Sequence, residues 1–304
     1  MPDPAFRRRK WRFDDDEPTF AKRSGHRAAL PALDALDAVD GLPEGDRWST
    51  WDQSTAGERG PEPYPGWLVT DLAAVDTELG ILKTGKEADV FLLRRGVPGG
   101  RSCLLAAKRY RDAGHRMFQR DSAYLEGRRV RESRDTRAMA QRTAAGRQMI
   151  ARQWANAEFA ALVQLHCSGV PVPYPVQVLG TELLLEFIGE PDGTAAPRLA
   201  EIRPEGAELA DLWDQLVAAL AVLAARGLAH GDLSAYNLLV HQGRLIMIDL
   251  PQVVDVIANP QGPEFLDRDA ANVGRWFSAR GLSGVSPAPE DLPGLLRREA
   301  RLGG

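Results

Sequence analysis

Two long stretches of the chain place apolar residues at three- and four-residue spacing, the repeat of one helix face. Met149, Ile150, Trp154, Ala157, Ala161 and Leu165 predict a helix from about 144 to 166. Leu209, Leu212, Leu216, Leu220 and Leu223 predict a second from 208 to 226, with Gly227 placed to close it in the left-handed conformation. Elsewhere the apolar runs are short. Ile81-Leu82 and Val90–Leu93 flank a polar turn, Leu104–Tyr110 forms a third run, and Gln177–Leu179 faces Leu183–Ile188 across Gly180. These runs predict antiparallel strands. Leu238–Val240 and Leu245–Ile248 flank Gln242-Gly243 as the arms of a hairpin would. Phe265-Leu266, Val273 and Trp276-Phe277 predict one further helix, and residues 66–75 a short amphipathic one.

The two ends read differently. Residues 1–65 alternate basic and acidic clusters with Pro and Gly, which predicts a largely disordered tail holding at most one short helix at 30–42. Trp11, Trp48 and Trp51 are more aromatics than such a tail needs, so some of it is expected to dock on the folded body. Residues 281–304 predict a C-terminal tail with one short helix within 292–301. No internal repeat occurs.

With 304 residues the chain has room for one large or two modest domains. The net charge of −4 argues against a general affinity for nucleic acid, but the charge is uneven. Residues 101–152 hold 14 Lys and Arg against 5 Asp and Glu. The two cysteines, Cys103 and Cys167, are far apart and predict buried thiols in a reducing compartment. No apolar run reaches membrane-spanning length and no export signal is evident, so a cytoplasmic location is expected.

The densest chemistry lies in residues 228–250. His230-Gly231-Asp232 is followed by Asn237 five residues on and by Asp249 twelve beyond that, with the hairpin between. The hairpin would bring two carboxylates and an amide to one point. Such oxygens suit Mg²⁺ shared with substrate phosphates, and a carboxylate not used on the metal can take a proton from an attacking hydroxyl. Upstream, the turn Thr84-Gly85-Lys86-Glu87-Ala88-Asp89 has one glycine at which backbone N–H groups could approach phosphates. Taken alone, it fits an ordinary hairpin better. Lys108, at the end of an apolar run, is either a snorkelling strand-end lysine or one that bridges nucleotide phosphates. Glu158 lies beside the apolar stripe of its helix, where an ion pair with Lys108 would hold the lysine in place.

Taken together, these residues resemble the RIO family of atypical serine/threonine protein kinases. The blocks are Thr84–Ala88, Ala107-Lys108, Trp154-Ala155 with Glu158, Glu186–Gly189, His230–Asn237, Ile248-Asp249 and Glu264–Asp269, in that order. The basic stretch after Lys108 looks closer to the first RIO subfamily, and the alanine-, arginine- and glycine-rich composition looks bacterial. The resemblance implies an α+β, two-lobed protein-kinase-like fold. It would comprise an antiparallel N-lobe sheet plus helix at 66–189, a basic insertion at 109–147, and a truncated, mainly helical C-lobe at 190–280. It implies ATP and Mg²⁺, with Mn²⁺ able to substitute. Asp232 would be the catalytic base and Lys108 would act on the phosphates, paired with Glu158. Asn237 and Asp249 would hold the metal. Thr84, Gly85 and Lys86 would form the nucleotide loop, and main-chain groups of Glu186 and Ile188 would meet adenine.

Three readings stay open on the sequence: a protein kinase or ATPase switch, a small-molecule kinase of the aminoglycoside type, and a low-turnover nucleotide-binding scaffold. The basic insertion could order over RNA or a ribosomal particle, with Ser122, Ser133, Thr136 and Thr143 as autophosphorylation positions. Its bland alternative is a solvated, flexible insertion. The protein substrate is not legible.

Overall fold

In a computed structural model, residues 46–111, 144–250 and 253–302 are described. The interior of the basic insertion with its four hydroxyl residues, the helix expected at 30–42, and Trp11 fall outside those residues.

The N-lobe is a six-stranded antiparallel sheet. Its strands are β1 (Asp46–Trp48), β2 (Val75–Thr84), β3 (Ala88–Gly96), β4 (Ser102–Tyr110), β5 (Pro175–Leu179) and β6 (Glu182–Glu186), in the order β1-β2-β3-β4-β6-β5. Side chains alternate across β4 because successive residues point to opposite faces. Cys103, Leu105 and Ala107 enter one apolar cluster, whereas Tyr110 enters the other, beneath helix α1 (Ala144–Cys167). Ala151, Ala155, Phe159 and Leu162 of α1 are buried there.

The opposite face of the sheet corrects the expectation of a disordered tail reaching residue 65. From Asp46 onward the chain is folded: β1 pairs with β2, and Trp51 is buried with Leu68, Val69 and Ala74 against Leu93 and Leu105. Residues 66–74 form turns rather than the expected amphipathic helix, because neighbours Leu68 and Val69 are both buried instead of residues at helical spacing. Trp48 stays exposed. A buried ion pair fixes this layer: Arg95 donates to both Asp76 oxygens (2.7 and 2.9 Å) and to Gln177 (3.0 Å), and Gln177 donates to Thr50 (2.9 Å). Two-pronged geometry, with the third guanidinium nitrogen engaged by Gln177, is what lets such a charge pair sit inside a sheet.

The C-lobe follows a short linker. Helix α2 (Gly206–Ala225) buries Leu209, Leu212, Leu216, Leu220 and Leu223, and Gly227 beyond it has φ 70°, as its C-terminal position requires. Strand β7 (Leu228–Ala229) leads into the His-Gly-Asp loop. Strands β8 (Leu238–His241) and β9 (Arg244–Met247) form the hairpin, with Gln242 at φ 51° and Gly243 at φ 72°. Two successive positive φ angles give the turn whose twist matches paired strands. Strand β10 (Val254–Asp255) pairs with β7, and α3 (Gly262–Ser278) and α4 (Leu292–Glu299) complete the lobe.

The C-terminal segment is not a tail. Leu292 and Leu296 are fully buried in the main core, and the indole N–H of buried Trp213 donates to the Pro287 carbonyl at 2.9 Å. Leu296→Ala is therefore expected to cost about 2–5 kcal/mol of stability. Denaturant unfolding would show it as a lower midpoint with unchanged slope; an unshifted midpoint would mean that α4 contributes nothing to the core. Of the two cysteines, Cys103 is buried as expected, but Cys167 is exposed at the end of α1.

Candidate active site

The loop after β7 is held from below by α3. Asp269 accepts the N–H groups of Gly231 (2.7 Å) and Leu233 (2.9 Å), and Asn272 donates to the Leu233 carbonyl (3.2 Å). Arg268 donates to the Gly231 carbonyl. Burial raises the Asp269 carboxyl above the usual carboxylate range, against those two N–H groups and the nearby His230 and Arg268. His230 donates from Nε2 to the Ile248 carbonyl at 3.1 Å, tying the loop to the far side of the hairpin. The amide nitrogen of Asn237 donates to the Asp232 carbonyl at 2.8 Å, which leaves its oxygen as the free acceptor. The Asp232 carboxylate is exposed and has no partner among the described residues.

Above this loop lies a buried charge cluster. Lys108 on β4 donates to Glu158 of α1 at 2.8 Å and to Asp249 at 2.8 Å. Glu158 is almost fully buried and also accepts from the Tyr110 hydroxyl and from the Leu250 N–H at 3.3 Å. Burial alone would lower the Lys108 ammonium, but Glu158 and Asp249 outweigh it and hold it well above the usual lysine range. Burial likewise works to raise Asp249, and Lys108 and Lys83 outweigh it, keeping the carboxyl far below the usual range. Asp249 also has φ 65°, a left-handed conformation that costs free energy in a residue other than glycine and is tolerated where the surroundings hold it.

One cleft of about 660 Å³ joins these parts. Gly85, Lys86, Lys108, Glu158, Glu186, Ile188, Asp232, Asn237 and Asp249 all line it. Thr84 does not; it pairs with Asp89 across the β2–β3 ladder beside the turn. Gly85 is required by space, since a Cβ there would lie 2.8 Å from the Ala88 carbonyl oxygen. At the linker, the Glu186 N–H is bound to the Tyr174 carbonyl (2.9 Å), and the Ile188 carbonyl accepts from Ala196 (3.0 Å). The Ile188 N–H has no acceptor among the described residues and opens on the cleft. The sequence reading missed three residues: Lys83, Tyr110 and, as the residue that holds the loop, Asp269. Tyr110 was within reach, because it sits two positions after Lys108 on one strand and so shares its face.

The family model of the RIO domain matches residues 105–289, more than half of the chain. The chain belongs to the RIO family. It is 37% identical over 208 residues to the RIO-type serine/threonine-protein kinase Rio1 of Haloferax volcanii, a match covering 68% of this chain and 65% of that protein. Serine/threonine-protein kinase RIO1 of Chaetomium thermophilum is 32% identical over 216 residues, 68% of this chain and 40% of its own length. Serine/threonine-protein kinase RIO3 of Mus musculus is 36% identical over 135 residues, 44% of this chain and 26% of its own. The chain thus spans less than two thirds of each. The two-lobed arrangement described above is the kinase-like fold of the RIO family, and the likeness to the first RIO subfamily holds. Among the described residues no helix is long and apolar enough to cross a membrane.

The charge cluster of this RIO-family cleft carries a pH signature. The Asp249 carboxyl is depressed in the folded state, so its contribution is fully present above the ordinary value of 3.8 and is lost as pH falls through the lower folded-state value. The stability difference between the parent and Asp249→Asn should therefore stay constant from about pH 8 to 5 and shrink below about 4. Chemical denaturation at each pH measures it; a difference that widened in acid would contradict the pairing.

Proposed function

We propose that this cleft binds ATP with a divalent cation and transfers the γ-phosphate to serine or threonine hydroxyls of proteins, the chain's own included. One observation carries the reading. Lys108, fixed between Glu158 and Asp249, faces an exposed Asp232 and the amide oxygen of Asn237 across a single cleft, and neither oxygen group has a partner among the described residues.

The donor set fits Mg²⁺, and Mn²⁺ would share it. Asp249 offers a carboxylate and Asn237 an amide oxygen, both hard ligands. Among the described residues no three His, Cys, Asp or Glu side chains form a metal cage, so phosphate oxygens would complete the shell. When bound, the metal would neutralise charge on the phosphates. The protein's own share is positioning. Lys108 would meet phosphate oxygens without searching, because Glu158 has already fixed it. The Ile188 N–H would donate to the base, and Gly85 lets the turn come close. Asp232 would accept the proton of the attacking hydroxyl as its oxygen bonds to the γ-phosphorus, while the bond from that phosphorus to the β–γ bridging oxygen breaks and ADP leaves.

Residues 253–302 favour this reading over a small-molecule kinase. They pack α3 and α4 against α2, and none of them lines the cleft. An ATPase switch uses the same groups, with water in place of the hydroxyl. Contact with RNA or ribosomal particles through the arginine-rich segment rests on composition alone, as does a cytoplasmic setting. Incubation with γ-labelled ATP, alone and with lysate or ribosomal particles, tests the proposal. Label on serine or threonine is expected with Mg²⁺ present; free phosphate alone would favour the switch, and no turnover would leave a scaffold.

A further inference from the structure

Asp249 has two lysines on it, and only one belongs to the site read from the sequence. Lys108 holds Oδ1 at 2.8 Å; Lys83, from β2, holds Oδ2 at 3.3 Å. Lys83 reaches the cleft through an irregularity of its strand. In β2 Ile81 pairs with Phe91 and Lys83 with Val90, so Leu82 is an extra residue, and consecutive Leu82 and Lys83 both line the cleft. A bulge of this kind re-aims a side chain that simple alternation would turn away.

The two lysines are held differently. The Lys108 side chain is 10% exposed and anchored by buried Glu158 as well. The Lys83 side chain is 41% exposed and, among the described residues, has only Asp249. An ion pair at that exposure contributes little, so Lys83 can leave at small cost. A divalent cation arriving at Asp249 would compete for the oxygen Lys83 holds. The displaced ammonium would then stand beside phosphate oxygens that the same cation binds.

We propose that Lys83 is a second phosphate-binding cation of this cleft, resting on Asp249 in the free protein and passing to the phosphates of the bound nucleotide. The proposal rests on the nucleotide reading above. Until the nucleotide arrives, Lys83 masks a carboxylate that would repel it; afterwards the same charge adds to the attraction.

Calorimetric titration of the full chain tests this, using ATP in EDTA, ATP with Mg²⁺, and adenosine. Lys83→Met should weaken ATP binding roughly tenfold in EDTA and leave adenosine unchanged. Because loss of masking alone would also weaken ATP, the same substitution is made in an Asp249→Asn background, where there is no carboxylate to mask. A persistent loss there supports direct phosphate contact; a loss that disappears overturns it, as does equal weakening of adenosine or no effect in either background. A parent that binds adenosine but not ATP, or binds neither, sinks the nucleotide reading and this proposal with it. Parental ATP binding with an inert Lys83→Met sinks this proposal alone.

Discussion

Asp232→Asn is expected to lower phosphate transfer by roughly 10²–10⁴-fold while ATP binding stays near the parental value. The side chain is exposed and makes no bond that the fold depends on. The loop is carried by the Asp232 carbonyl bonded to Asn237, and by Asp269 beneath Gly231 and Leu233. Replacing one carboxylate oxygen with an amide group leaves all of these in place and removes only the proton acceptor. Single-turnover rates with saturating Mg·ATP would measure the chemical step directly. Parental turnover in Asp232→Asn would assign the base elsewhere in the cleft.

Lys108→Met should act on two properties at once. Glu158 is 1% exposed, so losing the lysine strands a buried carboxylate, at a cost of about 3 kcal/mol. The Tyr110 hydroxyl and the Leu250 N–H remain with it and keep the loss at the lower end of what such a deletion does. Nucleotide affinity should fall as well. Adding Glu158→Gln to Lys108→Met removes the stranded charge and should restore most of the stability but none of the affinity. Thermal melts and ATP calorimetry on the single and double variants separate the two effects. A Lys108→Met protein with parental melting and parental affinity would show that the lysine is neither structural nor functional.

The placement of the candidate site's residues was legible because it sits on local spacing. Asp232, Asn237 and Asp249 hang on a tight hairpin whose turn residues announce it, and Lys108 and Glu158 stand on elements with clear periodicity. What escaped depends on packing between distant segments. Leu68 and Val69 are adjacent and both buried, a pattern that belongs to neither helix nor strand, so the layer from Asp46 to Ala74 looked like tail and helix. Leu292 and Leu296 do repeat at helical spacing, but only the tertiary structure shows that they reach the core. Lys83 was hidden for the opposite reason: the strand was read correctly, and its broken alternation was not.

That broken alternation has a second consequence, for how the molecule meets copies of itself. Among the described residues, β2 forms the outer rim of the sheet beyond the three residues that pair with β1, and such a rim is a template on which a foreign strand can add and seed aggregation. Here register with β3 breaks between Glu78 and Gly80 and again between Ile81 and Lys83, so past Glu78 no more than two consecutive residues keep step. A strand arriving from another chain would find no regular row of N–H and carbonyl groups to match. The kink that aims Lys83 into the cleft thus also guards the rim against unwanted pairing.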